Sequence, residues 1–237
     1  MLPLRDNIPS SRVPVVNYLI ILVCVAVYVF QVLNPPWTDQ HAFRPSLVHD
    51  YAAGTRPAVD LLASALASMF MHGGLLHLLA NMWFLWIFGD NVEDRMGPGR
   101  YLVFYLICGF AATAAHVAIT LAGANLGGAA AVHIPMVGAS GAIAGVLAAY
   151  MRLFPQARVL TLIPFFFIMV VEIPALLFIG VWFVLQFVSG LSTLGGGAGV
   201  AFWAHVGGFL TGLLLVGFFA TLRRKPRAPR VLDLRLD

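Results

Sequence analysis

Four long stretches of the chain, residues 13–38, 61–89, 101–151 and 173–222, contain no Asp, Glu, Lys or Arg and are dominated by apolar side chains. Crossing a bilayer as a helix takes roughly 20 apolar residues, so these stretches predict one, one, two and two spans. The predicted fold class is therefore all-α, a polytopic membrane bundle of six transmembrane helices. The segment before Val13 and the tail after Leu222 are each too short to bury a core of their own. A single membrane domain is expected over residues 13–222, preceded by a cytoplasmic segment, 1–12, and followed by a basic cytoplasmic tail, 223–237. The first stretch is too long for a signal-peptide core and no small-x-small cleavage site follows it, so it reads as a retained first span.

Interruptions in the pattern add detail. Residues 159–171 are apolar but few, bracketed by Arg158 and Glu172 and broken by Pro164, with Pro174 just beyond. This predicts an interfacial or re-entrant piece on the cytoplasmic face and a fifth span starting near Pro174, which keeps the Glu172 charge out of the hydrocarbon. The first external loop, residues 34–60, mixes Pro35, Pro36, Trp37, Phe43 and Tyr51 with polar residues, a composition suited to the headgroup interface. Residues 191–200 include Gly195, Gly196, Gly197 and Gly199, a connection flexible enough to act as a gate. No internal repeat and no mirrored pair of broken helices is present, which weighs against a transporter built from inverted repeats.

Composition excludes a water-soluble globule: 60% of residues are apolar and 10% charged, against about 25% charged in soluble domains. The net charge of +4 needs no nucleic-acid partner, because its distribution has a topological reading. With both termini cytoplasmic, Arg5, Arg12, Arg95, Arg100, Arg152, Arg158 and the six basic residues of the tail share that side, and only Arg44 and Arg56 lie opposite, as expected when positive charge stays inside. The basic tail then meets anionic lipid, and the expected location is the cell (inner) membrane. Cys24 and Cys108 stand alone in apolar spans, so neither a disulfide framework nor a zinc site is suggested.

Polar side chains inside such spans point to function. Here they are His72, His77, Asn81, His116, Ser140 and His205. His77 and Asn81 are spaced i, i+4 and so share one face of the second span, with His72 nearer its external end. Ser140 sits in Gly138-Ala139-Ser140-Gly141, after Pro135, at the predicted start of the fourth helix, where unpaired backbone N–H groups can stabilise an oxyanion. Gly141 and Gly145 on that helix, and Gly208 and Gly212 on the sixth, form small-xxx-small faces that let two backbones approach closely. Packing one against the other would bring His205 beside Ser140, a base within reach of a nucleophile. No acidic residue lies in these spans, so the pair is expected to act as a dyad, unless a loop acid such as Asp60 reaches in.

Taken together, His72-x4-His77-x3-Asn81, Gly138-x-Ser140-Gly141 and Ala204-His205-x2-Gly208 resemble the motifs of the rhomboid intramembrane serine proteases, of bacterial type with a six-span core. The resemblance implies that Ser140 attacks the scissile carbonyl, that His205 is general base and acid, and that His77, Asn81 and the Ser140 backbone N–H hold the oxyanion. It implies supporting places for His72, Gly138, Gly141 and Gly208, a tie of the second cytoplasmic loop by Glu93 and Arg95, and no cofactor or metal. The substrates implied are single-span membrane proteins cut near the external end of their helix, at an active site opening externally. Two departures stand out. Ala144 occupies the position where many members carry an aromatic residue for the histidine to stack on, and Phe43-Arg44 replaces a Trp-Arg pair. The alternatives are an inactive rhomboid-like protein that binds membrane helices and a metal-binding protein using His72, His77, His116 and His205. Trp83, Trp86, Trp182 and Trp203 read as lipid-facing or interfacial anchors.

Overall fold

The computed structural model describes residues 1–124, 129–164, 168–192 and 201–220. Its elements run β1 (Leu2–Asp6), α1 (Val15–Leu33), α2 (Pro35–His41), α3 (Leu47–Ala52), α4 (Ala58–Ser68), α5 (Leu75–Phe84), α6 (Asp90–Met96), α7 (Pro98–Ala124), α8 (Ser140–Leu153), β2 (Arg158–Pro164), β3 (Ile168–Pro174), α9 (Ala175–Ser192) and α10 (Phe202–Phe219). Helices α1, α7, α9 and α10 are each long and apolar enough to cross a membrane. The continuous rod formed by α5, a π-helical turn at Leu85–Gly89 and α6 joins the short apolar α8 in completing a polytopic membrane bundle of six helices.

At the centre stands α8, buried continuously from Gly141 to Tyr150. It packs with α7 and α10 through small residues. A methyl group added at Gly208 would strike the Gly141 carbonyl oxygen, one at Gly212 the Gly145 backbone, and one at Gly145 the side chain of Cys108 on α7. Backbones this close exchange many weak contacts that bulkier residues would hold apart.

The π-helical turn has a local cause. It loosens the hydrogen-bond ladder by one residue, and Asn17 of α1 donates its side-chain amide to the Leu85 carbonyl at 2.9 Å. The Tyr101 hydroxyl donates in turn to Asn17 Oδ1 at 2.8 Å. Farther along, the Glu93 carboxylate accepts the backbone N–H groups of Val16 and Asn17, at 3.1 and 2.7 Å, in the first turn of α1. Negative charge is favourable there, where the helix leaves N–H groups unpaired. Glu93 thus anchors α6 to α1, while Arg95 lies over the Phe154 ring, 5.8 Å from its centroid.

The bundle also carries a sheet that an all-α reading did not contain. Residues 158–164 and 168–174, expected as an interfacial or re-entrant piece, form the antiparallel pair β2–β3, and β1 adds to β2, giving the order β1-β2-β3. Val159, Ile163, Val170, Val171 and Ile173 suit extended backbone because branching at Cβ stiffens them. Glu172 faces Arg158 at 3.9 Å within this sheet, and α9 begins immediately after Pro174. The first twelve residues are held down as well, with Asn7 and Arg158 exchanging hydrogen bonds and Ser11 bonded to Asp94. Asp6 accepts from Asn91 at 2.9 Å and from the Tyr150 hydroxyl. Burial pushes its carboxyl up to about 7, the Tyr150 hydrogen bond opposing and the charge of nearby Asp90 adding to the rise. Burial likewise raises Asp90 to about 7. The basic tail and most of the glycine-rich connection, residues 193–200, lie outside the described residues.

Candidate active site

Ser140 is the first residue of α8. Gly138 just before it has φ +132°, a conformation side chains oppose, and its N–H donates to the Ser68 carbonyl at 2.9 Å. At 14 residues α8 rises about 21 Å, some 9 Å less than a hydrocarbon core of roughly 30 Å.

His205 lies in the first turn of α10, and its Nε2 is 2.7 Å from Ser140 Oγ. The juxtaposition follows from the contacts of Gly208 and Gly212 with α8, the close approach expected from the spacing of small residues. His205 is buried, 7% exposed, so this bond is shielded from competing solvent. Its other ring nitrogen, Nδ1, meets no carboxylate among the described residues; it lies 2.7 Å from Oε1 of Gln186 on α9. Trp182, one turn earlier on α9, lies against the imidazole with ring centroids 5.7 Å apart and planes at 39°, and Phe202 approaches edge-on at 6.5 Å. Helix α9 thus supplies the aromatic neighbour that Ala144, itself fully buried, does not. Trp182, expected as a lipid-facing or interfacial anchor, is half-buried and has the imidazole as a neighbour. Trp83 and Trp86 contact the Pro3 carbonyl and the Tyr18 ring.

His77 and Asn81 both face the same cleft as Ser140 and His205. His77 fits because position 138 has no side chain, since a Cβ there would stand 2.8 Å from His77 Cε1 and 3.0 Å from Nε2. Asn81 is buried, and its Nδ2 has no hydrogen-bond partner among the described residues. Buried amide donors are almost always paired, so this one is available to an acceptor arriving in the cleft. His72 is not on the second span. It lies before Gly73 and Gly74 in the turn between α4 and α5, where the helical path is broken. Its ring packs edge-on to His77 at 5.3 Å, and its backbone is clasped by Gln31 of α1, which accepts its N–H at 2.9 Å and donates to its carbonyl at 3.3 Å.

The cleft has a volume of about 910 Å³ and lies between α5 and α9. Polar groups of Ser140, His77, Asn81, Gln186 and His205 converge in it, and Leu75, Leu76, Phe84, Ile143 and Leu147 supply apolar wall. Phe84 and Phe178 meet at 6.4 Å on the two flanking helices. On the other side of Ser140, the first loop is joined to the segment leading into α8. Phe43 and Met136 form a bridge, Ser68 Oγ accepts the Phe43 N–H at 2.6 Å, and Arg44 reaches the His133 carbonyl at 3.2 Å while paired with Asp39. His116 does not line this cleft; it stands on α7, which packs against α10, with Nε2 near the Thr120 hydroxyl. Among the described residues no three His, Cys, Asp or Glu side chains converge as metal ligands would.

Gln186 and Gln31 were overlooked in the sequence although both are amides inside charge-free stretches. The rule that singled out Asn81 applies equally to them.

Fold and site together define a polytopic membrane protein with a buried serine–histidine pair beside an apolar cleft. Residues 61–222 match the Rhomboid domain, and the chain belongs to the rhomboid family. It is 30% identical over 181 residues to the presenilin-associated rhomboid-like protein, mitochondrial, of Bos taurus, covering 75% of this chain and 44% of that protein. It is 28% identical over 173 residues to rhomboid protein 1, mitochondrial, of Saccharomyces cerevisiae, with 71% and 45% covered. With RHOMBOID-like protein 4 of Arabidopsis thaliana the identity is 30% over 164 residues, with 67% and 34% covered. The chain therefore spans less than half the length of these relatives. All three are eukaryotic and two are mitochondrial by name, so the bacterial type expected from the sequence is not what the comparison brings out.

Proposed function

We propose that this protein is an intramembrane serine endopeptidase that cleaves single-span membrane proteins near one end of their transmembrane helix. The observation that carries the reading is the 2.7 Å contact between Ser140 Oγ and His205 Nε2, with the imidazole buried within the bundle. In this reading His205 takes the Ser140 proton as Oγ attacks the scissile carbonyl, and the acyl-enzyme forms as the imidazolium returns that proton to the leaving amine. Water, deprotonated by the same imidazole, then releases the second product. The Asn81 amide, the His77 ring and the Ser140 backbone N–H donate to the oxyanion, each such donor contributing about 3 to 4 kcal/mol in acyl transfer. The unpaired Asn81 donor and the fit of His77 against Gly138 favour these assignments. The apolar walls between α5 and α9 suit a helix arriving sideways from lipid, and local unwinding of that helix is needed to expose a peptide bond.

The distribution of basic residues supports cytoplasmic termini, with the site opening to the opposite face. The test is cleavage of a single-span reporter with a glycine-rich helix end in liposomes, comparing the unchanged protein with Ser140→Ala and His205→Ala. Cleavage abolished in both and indifferent to chelator is expected. Cleavage persisting in Ser140→Ala would overturn the assignment, and no cleavage of any of several reporters would favour a helix-binding member without proteolytic activity.

A further inference from the structure

An imidazole accepting a proton from serine at Nε2 must carry its own proton on Nδ1, and something must hold it there. In serine hydrolases with a triad that partner is a carboxylate. Residues 101–151 and 173–222, which include both reacting side chains, contain no Asp or Glu. The atom 2.7 Å from His205 Nδ1 is instead the amide oxygen of Gln186, an acceptor without charge. It spares the bundle the desolvation of a buried ion while defining the same tautomer. Trp182 lies four residues earlier on the same face of α9 and covers the ring, so one helical turn supplies both the hydrogen bond and the packing.

We propose that Gln186 is a positioning residue for His205: its side-chain carbonyl accepts the Nδ1–H, fixing the ring in the tautomer and orientation that present Nε2 to Ser140. The inference rests on the reading of Ser140 and His205 as nucleophile and base, and it makes the site a serine–histidine–glutamine relay spanning α8, α10 and α9. Gln186 does not touch the reacting atoms. It acts through the ring, and a glutamine that only glued α9 to α10 would be replaceable without any change at His205.

The experiment compares the full-length protein with Gln186→Leu, which keeps the bulk but cannot accept, and Gln186→Glu, which keeps an acceptor oxygen in either protonation state. In reporter cleavage, Gln186→Leu is expected to lower kcat by about 10- to 100-fold with KM within about twofold, and Gln186→Glu to recover most of the loss. Nitrogen-15 NMR of histidine-labelled protein, with the His205 signals identified by their absence in His205→Ala, is expected to show Nδ1 protonated in the unchanged protein and a mixture of tautomers in Gln186→Leu. Unchanged kcat in a folded Gln186→Leu would overturn the proposal. So would a His205 tautomer indifferent to the substitution, or a loss of kcat matched by an equal loss in Gln186→Glu. Should Gln186→Leu fail to fold, Gln186→Met and the tautomer in the unchanged protein decide the matter. A fluorophosphonate probe separates the two levels: an unlabelled Ser140 together with a Gln186-dependent tautomer would sink the protease reading and leave the hydrogen bond standing, whereas a labelled Ser140 whose reactivity ignores Gln186 would do the reverse.

Discussion

Two helices meet at His205 by way of its two ring nitrogens, and they are built on opposite plans. On the Nε2 side stands α8, buried from Gly141 to Tyr150 and pressed against α10 backbone to backbone at Gly208 and Gly212. On the Nδ1 side stands α9, which exposes Leu176, Leu177, Val184, Leu185 and Val188 and reaches α10 through side chains, with Trp182 and Gln186 at the imidazole and Phe183 stacked on Phe209 at 4.2 Å. A contact between backbones has no rotamers and cannot give way without moving a helix, whereas side chains can repack. The distance between Ser140 and His205 is thus fixed by the innermost packing of the fold. The neighbours of the imidazole on its other side come from a helix whose outer face is apolar and exposed.

The strongest way to break this contrast is to prise α10 off α8. Gly208→Val is expected to reduce reporter cleavage at least about 100-fold, the order of loss that an ångström of misplacement produces, and to destabilise the protein by about 1 to 3 kcal/mol through overpacking. Normal cleavage with normal thermal stability would show that the backbone contact is not what sets the Ser140–His205 distance. Asn81→Ala tests the cleft without touching either plan. Loss of one oxyanion donor predicts a fall in kcat of about 10²- to 10³-fold at nearly unchanged melting temperature, because the Nδ2 removed has no hydrogen-bond partner among the described residues. A melting temperature that falls in step with kcat would place Asn81 in the packing and not in the chemistry.

The smallest effect is expected far from the site, where β1 meets α6 and α8. A carboxyl raised to about 7 favours the folded state fully below the ordinary carboxyl range and loses that contribution as the pH climbs through 7. The melting temperature in detergent should therefore be lower at pH 8 than at pH 6. Asp6→Asn should remove about half of that difference, worth about 1 kcal/mol, since Asp90 titrates over the same range. A pH dependence untouched by the substitution would mean that β1 is not held through the protonated Asp6.

What could be read in the sequence divides along the same line. The approach of α8 to α10 was legible because touching backbones tolerate only glycine, and that requirement is written in residue type at fixed spacing. The second partner of His205 was marked only by the lone amide of Gln186, because the rest of the inward half of α9 is apolar and its periodicity does not say which face turns inward. From the sequence, Trp182 consequently reads as a lipid-facing or interfacial anchor. The sheet was hidden for a different reason: β2 pairs with β1 at the far N-terminal end of the chain, and nothing local to an apolar run of that size distinguishes a strand from a membrane segment. His72 was placed on a helix because Gly73 and Gly74, which break it, sit inside a charge-free stretch.

The π-helical turn at Leu85–Gly89 gives the rod that contains His77 and Glu93 a property no straight helix has. One surplus residue advances everything beyond it by about 100° around the axis, so the two ends of the rod take their bearings independently. The end carrying His77 and Asn81 is aimed at the cleft, while the end carrying Glu93 is aimed at the first turn of α1, and Asn17 holds the joint by its hydrogen bond to Leu85. The aim of His77 and Asn81 is in this sense keyed to an offset cut into the shaft farther along, as the teeth of a key are indexed to its stop.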